Sequence, residues 1–468
     1  IKRLMRRIAV IWLPVMLMGV ASGCTTAVVA HDSNQFDAAK AKIVLDAGFS
    51  FIQDVYIDKP DIADLTLTGL NGLRRIEPAL AVIRSPKGEQ VSLLVDGKSE
   101  ATAKLEATHD AVAWARTATR LIEAGRNSSR ILKNATAEEI YAVIFENMAH
   151  QLDKYTRYST AEAAREERAQ RDGFGGIGAS IEAHADGALI SAVKADQPAN
   201  TAGLQVGDRI LAIAGQPISG LSHRRVIGLL RGPVKTNVQL TIRRDARDEP
   251  FTVSVTRAYI IEQTVFLRVH EDFAHIRLTG FNQDTLREMR EAAEEARQKI
   301  KPTLRGIIID LRGNPGGLLD QAVEVADLFL KSGAILRTKG RHPLSMQYFD
   351  ANNDAVDIET PIAVLLDGAS ASAAEIVASA LQDQGRAIIV GKGTVQQVRK
   401  LPNDGQLVLT WARMHAPSGY VLHRLGVLPT ICTSRISDSA SAVKAFTATD
   451  GETIRRDFRA RRNANQAT

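Results

Sequence analysis

Ser372 and Lys392 bracket the stretch of this chain in which chemistry is most concentrated. An apolar run ends at Asp367, and the small residues Gly368, Ala369, Ser370, Ala371 and Ser372 make a turn. An Ala-rich helical pattern then continues to about Gln384. A second apolar run, 387–390, leads into Gly391-Lys392-Gly393. A hydroxyl at the start of a helix and a lysine just past the next strand suit a serine nucleophile with a lysine base. The lysine serves as a base only if it is neutral near working pH, which requires desolvation, and the apolar run before it would supply that burial. Attack on an acyl carbonyl would give an acyl-enzyme that water then hydrolyses. A helix N-terminus at the serine sets free N–H groups and the positive end of the dipole beside the developing oxyanion.

Other readings of the same residues stand beside this one. Ser372-Ala-Ala-Glu375 is a capping box in its own right, serine at the cap and glutamate at the third helical position. Ser370 is a second hydroxyl two residues upstream. Gly391-Lys392-Gly393-Thr394 has a hint of a phosphate loop, but Gly385 is one residue too far from Gly391, and Gly393 stands where Ser or Thr would bind magnesium. His415 or His423 would have to serve a Ser-His-Asp triad, and no motif supports one.

Stepping upstream, Arg305-Gly-Ile-Ile-Ile-Asp-Leu-Arg-Gly-Asn-Pro-Gly-Gly317 runs a buried strand into a glycine turn, with a helix expected over 318–330. The same strand, turn and helix recur over 362–384. With strands at 273–278 and 387–390 and a helix over 282–300, this predicts an α/β core. Thr285-x-x-Glu288 is a plausible capping box for that helix. Before it, 173–258 carries short strands and turns, at 179–183, 189–193, 209–213, 238–243 and 251–255, with one helix over 223–230 after Ser222. Residues 36–172 read as mainly helical, with a short strand expected at 92–95. The expectation is a multidomain α/β protein: signal and lipobox 1–24, linker 25–35, helical region 36–172, β-rich domain 173–258, catalytic core 259–435, and a weakly ordered basic tail 436–468.

The composition, 45% hydrophobic and 24% charged over 468 residues, is ordinary for globular protein. The net charge of +6 sits largely at the two ends, with no aromatic residues interleaved in a basic stripe, which argues against nucleic-acid binding. Two cysteines, Cys24 and Cys432, and no Cys/His cluster argue against structural zinc. Lys2, Arg3, Arg6 and Arg7 precede a short apolar run, and Ala21-Ser22-Gly23-Cys24 follows it. That resembles a bacterial lipobox with Cys24 as the lipidated residue, and predicts an exported, periplasmic, membrane-tethered protein.

Two resemblances extend these readings. The Gly-Ile-Gly loop, GLQVGDRILAIAG at 203–215 and LRGPVKTNVQLTIRR at 230–244 resemble a PDZ domain. In such a domain Gly175, Gly176, Ile177 and Gly178 would leave backbone N–H groups free for a terminal carboxylate, and the bound peptide would add as a strand. Lys235 stands where that family usually has glycine. DLRGNPGG, ASASAAEIVASALQD, VGKGTVQ and APSGYVLHRLGVLP, in that order, resemble the carboxy-terminal processing proteases, which place a PDZ domain ahead of a Ser-Lys core. Carried over residue by residue, the resemblance implies Ser372 as nucleophile, Lys392 as general base, Gln396 as the residue orienting it, and the N–H groups of Gly317 and Ala373 as the oxyanion hole. Arg231, after the PDZ helix, would sense an occupied groove. The expected substrates are proteins or peptides with accessible C-terminal tails, with no cofactor and no metal; an oligomer or an activating partner is left open. The chain departs from the pattern it resembles before Lys392, where about five residues, on the order of 15 Å of extended chain, are absent. A catalytically impaired, tail-binding adaptor is therefore the alternative function. Thr430 also replaces an acidic residue usual in the family.

Overall fold

The computed structural model describes residues 36–104, 110–300, 304–390, 397–400, 403–422 and 426–430. The expected signal and lipobox with Cys24, the catalytic candidates Lys392 and Gln396, His423, and the tail after 435 lie outside the described residues. The described residues form one compact unit and, among them, three separate hydrophobic cores.

The first core is mainly helical, as the apolar spacing predicts. Ala38–Val55, Ile62–Asn71, Ala111–Ser128 and Ala137–Leu152 begin at side-chain caps from Asp37, Asp61, Asp110 and Thr136, which accept bonds from otherwise unpaired N–H groups. One short strand was expected here, but there is an antiparallel sheet of three: Leu80–Arg84, Gln90–Val95 and Lys98–Lys104. The signal was the Asp96-Gly97 dipeptide, whose positive φ values of 49° and 76° suit a tight hairpin. The third strand, Lys-Ser-Glu-Ala-Thr-Ala-Lys, is mostly exposed and so carries little hydrophobic alternation to read.

The second core lies under a sheet ordered Phe251–Thr256, Asn237–Arg243, Arg209–Ile213, Gly187–Val193, Ala179–His184, with helix His223–Leu230. This is the strand set expected from sequence, and it leaves Ala179–His184 as an edge. Phe174–Gly176 pairs with Ala258–Ile260, so the chain enters and leaves this domain along one two-stranded ribbon. Lys235 has a φ of 68°, which explains why glycine is usual at that turn: a side chain in the left-handed region costs about 1–2 kcal/mol.

The third core is a five-stranded sheet ordered Val265–His270, Phe273–Leu278, Gly306–Asp310, Ile362–Leu365, Ala387–Val390. The first pair is antiparallel and the other three pairings are parallel. Parallel neighbours need long crossovers, and helices Thr285–Ile300, Leu319–Asp327 and Ala373–Asp383 lie within them. The helix expected to begin near 282 begins at Thr285, and the capping box proposed for it does not form. The Thr285 hydroxyl instead accepts from the Asn282 N–H at 2.9 Å, while Glu288 Oε2 reaches back to the N–H groups of Thr264 (2.8 Å) and Val265 (3.1 Å). Glu288 thus fixes the segment joining the β-rich domain to the sheet.

The next described strand after Val390 belongs to a different sheet. Gln397–Lys400 pairs with Gln406–Leu409, which pairs with Arg157–Ser159. Leu407 and Leu409 are fully buried in the first, helical core. The chain then returns as Arg413–His415, beside Ala334–Lys339.

Candidate active site

The site forms where three loops leave the carboxyl ends of adjacent strands in the five-stranded sheet, the usual place for ligands in open α/β sheets. The loops follow Leu278, Asp310 and Leu365. Asn314, fully buried, joins all three. Its Nδ2 donates to the Leu278 carbonyl (3.0 Å), its Oδ1 accepts from the Gly316 N–H (2.8 Å), and its carbonyl accepts from the Ala371 N–H (2.9 Å). The sequence reading passed over Asn314, although it sits inside DLRGNPGG.

The two glycines that follow have distinct reasons. A Cβ on Gly316 would lie 2.6 Å from the Ser372 Cβ, and one on Gly317 would lie 2.0 Å from the Phe281 carbonyl oxygen. Both have positive φ, 102° and 147°. Only glycine lets this turn press against the serine turn and the Phe281 loop together. Asp310, at the strand end, is buried and held by Arg312, by the Arg312 N–H and by His275 at 3.1 Å. Burial would raise its pKa, but these bonds outweigh it and hold the carboxyl down at about 2.

Ser372 stands at the cap of helix Ala373–Asp383 with φ 55° and ψ −117°, a strained conformation for a side-chain-bearing residue. The helix below it is buried all round. Ile376, Val377 and Leu381 are almost wholly removed from water, each contributing about 1.5–3 kcal/mol, so the strain is held by packing. The capping-box pairing with Glu375 is present, but its firm member is the backbone one: the Ser372 N–H donates to Glu375 Oε2 at 2.9 Å. The Glu375 N–H points to the Ser372 carbonyl oxygen at 2.9 Å, and the serine hydroxyl makes no well-formed cap bond. Ser370 is different. It is fully buried, donates to the Leu311 carbonyl at 2.9 Å and accepts from the Asp367 N–H at 2.9 Å, so it braces the turn and is not free to attack.

The N–H groups of Gly317 and Ala373 have no acceptor among the described residues. Ala373 is the first residue of its helix, where an unpaired N–H is expected. Ser372, Gly316 and Gly317 line a cleft of about 610 Å³, closed on other sides by Tyr155 and Arg157 of the helical region and by Glu262. His415 Nδ1 faces the Gly419 carbonyl at 3.3 Å. Among the described residues no group of three His, Cys, Asp or Glu is placed to hold a metal ion.

Comparison with known proteins gives this geometry its context. Residues 272–433 match the model of peptidase family S41, and residues 166–243 match the PDZ domain. The chain is 41% identical over 290 residues to a carboxy-terminal-processing protease of Bartonella bacilliformis, covering 60% of this chain and 66% of that one. It is 31% identical over 306 residues to the carboxyl-terminal-processing protease of Picosynechococcus, covering 63% of this chain and 73% of the relative. The chain belongs to the carboxy-terminal processing proteases. Among solved structures, the photosystem II D1 C-terminal processing protease aligns over 89% of this chain and 96% of its own, at 21% identity and a TM-score of 0.40.

Like other members of the carboxy-terminal processing proteases, this serine protease carries a PDZ domain, and that domain has a groove of about 480 Å³ between the edge strand Ala179–His184 and helix His223–Leu230. Gly176, Ile177 and Gly178 line it; Gly175 is packed behind, where a Cβ would meet the Gly232 carbonyl oxygen at 2.0 Å. The N–H groups of Ile177 and Gly178 have no acceptor among the described residues. Arg231 lies at the groove, 3.9 Å from the centre of the Phe174 ring, and donates to the Glu166 carboxylate. Glu166 belongs to helix Ala161–Asp172, whose Glu167, Gln170 and Arg171 line the catalytic cleft.

Proposed function

We propose that this protease is exported, takes hold of the C-terminal tails of proteins in its PDZ groove and hydrolyses a peptide bond upstream with a Ser372–Lys392 dyad. The observation that carries the reading is Ser372 itself: a strained helix-cap serine lining the cleft with Gly317, beside N–H groups of Gly317 and Ala373 that have no acceptor among the described residues. The Ser372 Oγ attacks the scissile carbonyl carbon while its proton passes to the neutral Lys392 amine, with Gln396 orienting that amine. The two N–H groups receive the oxyanion. Collapse breaks the C–N bond, Lys392 returns the proton to the leaving amine, and water then attacks the acyl-enzyme with the lysine again as base. No cofactor takes part.

At the PDZ domain, the free N–H groups of Ile177 and Gly178 suit a terminal carboxylate, and the exposed edge of Ala179–His184 suits an added strand. Arg231, bonded to a helix that borders the cleft, would relay occupancy of the groove. Export and tethering rest on the basic, apolar and small-residue pattern ending at Cys24; Cys24→Ser should abolish incorporation of labelled fatty acid.

The deciding experiment is cleavage of a protein bearing an unstructured apolar tail by wild type, Ser372→Ala and Lys392→Ala. Loss of at least a thousandfold in each variant is expected, given the scale of loss when a nucleophile or its base is removed. Activity surviving both substitutions removes the dyad. A folded wild type that binds tails without cutting is the adaptor.

A further inference from the structure

The tail groove is not built by the PDZ domain alone. Its PDZ wall presents Ile177, Ile181, Ile227 and Leu230, but the facing wall includes Phe266, which lies on Val265–His270 of the peptidase sheet. Two sheet edges therefore border one cavity: Ala179–His184 is the last strand of the PDZ sheet, and Val265–His270 is the last strand of the peptidase sheet. Phe266 is 41% exposed, so part of its ring is open to an occupant of the apolar groove that it lines. Glu262 and Gln263 line both this groove and the catalytic cleft, so the two cavities meet at a shared wall. That wall is held to the peptidase core by Glu288 through Thr264 and Val265.

We propose that the peptidase core completes the tail-binding site, with Phe266 as a specificity-determining residue that packs against an apolar side chain near the end of the tail. The occupant is an extended peptide with a free carboxylate. Its strand edge is offered by Ala179–His184, its carboxylate by the unpaired N–H groups of Ile177 and Gly178, and positive charge by Lys194, which also lines the groove. The inference rests on the tail-binding reading of the PDZ domain and extends it: a bound tail contacts two domains at once. Binding then favours the arrangement in which the PDZ domain lies against the peptidase sheet, because that arrangement alone offers the Phe266 contact.

The test uses the full chain in a Ser372→Ala background, with a fluorescein-labelled twelve-residue peptide ending in valine as the free acid, and its amide as control. Fluorescence anisotropy gives the Kd. The acid should bind and the amide should bind far more weakly. Ile227→Asp, on the PDZ wall, should abolish binding. Phe266→Ala should weaken it about tenfold, the loss expected for truncating an aromatic contact at a binding site, with Phe266→Leu intermediate. A benzophenone at the penultimate position of the peptide should crosslink into Val265–His270 as well as into the PDZ domain, a readout that does not depend on any variant folding. If the peptide binds, Ile227→Asp abolishes binding, and both Phe266 variants bind as the parent does with no crosslink to Val265–His270, the shared site is overturned while the PDZ reading stands. If the folded chain binds no free-acid peptide, both are overturned.

Discussion

Glu375 is a carboxyl group placed where a charge is costly. It is fully buried under the serine turn, its Oε1 has no hydrogen-bond partner among the described residues, and burial pushes its pKa up to about 8 despite the bond from the Ser372 N–H, which acts in the opposite direction. At neutral pH it is predominantly a neutral acid, and it holds the Ser372 backbone. The folded value lies above the ordinary 4.5, so between those two pH values the native state binds more protons than the unfolded chain. The stability Glu375 contributes is therefore fully present below about pH 4.5 and is lost as pH rises through about 8. Wild type should show a falling Tm from pH 5 to pH 8.5, and Glu375→Gln should flatten that slope while keeping the acceptor for the Ser372 N–H. Equal slopes for the two proteins would remove this assignment. A second residue-scale prediction concerns Asn314. Asn314→Ala strands the Gly316 N–H and the Leu278 carbonyl, at a cost of about 1–3 kcal/mol each where they stay dry. The denaturation midpoint should fall. In kinetics kcat should drop more than tenfold with little change in KM, since the loops that set the serine turn lose their common partner. An unchanged kcat would separate Asn314 from the serine.

At the scale of elements, the parts of the fold with strong periodicity were readable before any coordinates. Strands 209–213, 273–278 and 387–390 and helix 223–230 fall at their predicted positions because each is a clean apolar pattern between turn or cap residues. The missed elements lacked such a pattern. The edge strand Val265–His270 has mostly exposed residues, and Arg413–His415 is three residues long. Thr285-x-x-Glu288 matched a capping box in sequence, yet Glu288 was recruited by Thr264 and Val265, partners remote in the chain. In the site, Ser372 and the glycine turn were legible as motifs. The choice of Ser372 over Ser370 rested on motif alignment alone; its physical reason, the Leu311 carbonyl that Ser370 meets across the loops, was not legible. Asn314 was equally hidden, since its three bonds run to separate loops, two of them distant in sequence.

For the whole molecule, the hairpin around Gln406–Leu409 matters most, because it carries residues of the catalytic half into the core of the helical region. Asn403 donates to Glu138 at 3.0 Å and to the Tyr158 hydroxyl at 2.6 Å, and Gln406 donates to Glu167 at 2.9 Å. Leu407 packs at Gly48 of helix Ala38–Val55. The helical region and the peptidase sheet are therefore coupled in stability. Leu407→Ala should lower unfolding free energy by about 2–5 kcal/mol, and native-state hydrogen exchange should rise in Ala38–Val55 and Ala137–Leu152, far away in sequence. Exchange that rises only around 397–410 would show the two regions to be independent.

The two-stranded ribbon of Phe174–Gly176 and Ala258–Ile260 bears on how such proteases diversify. Because the chain goes into and out of the PDZ domain side by side, the domain is a cassette: it can be exchanged for another without separating the parts on either side of it. Phe266 lies outside that cassette. A transplanted PDZ domain would arrive with its own half of the groove and face a wall matched to its predecessor. Retargeting this enzyme to a different class of tails is then a problem of two inheritances, and a swap that carries 262–266 along with the domain should succeed where the domain alone does not.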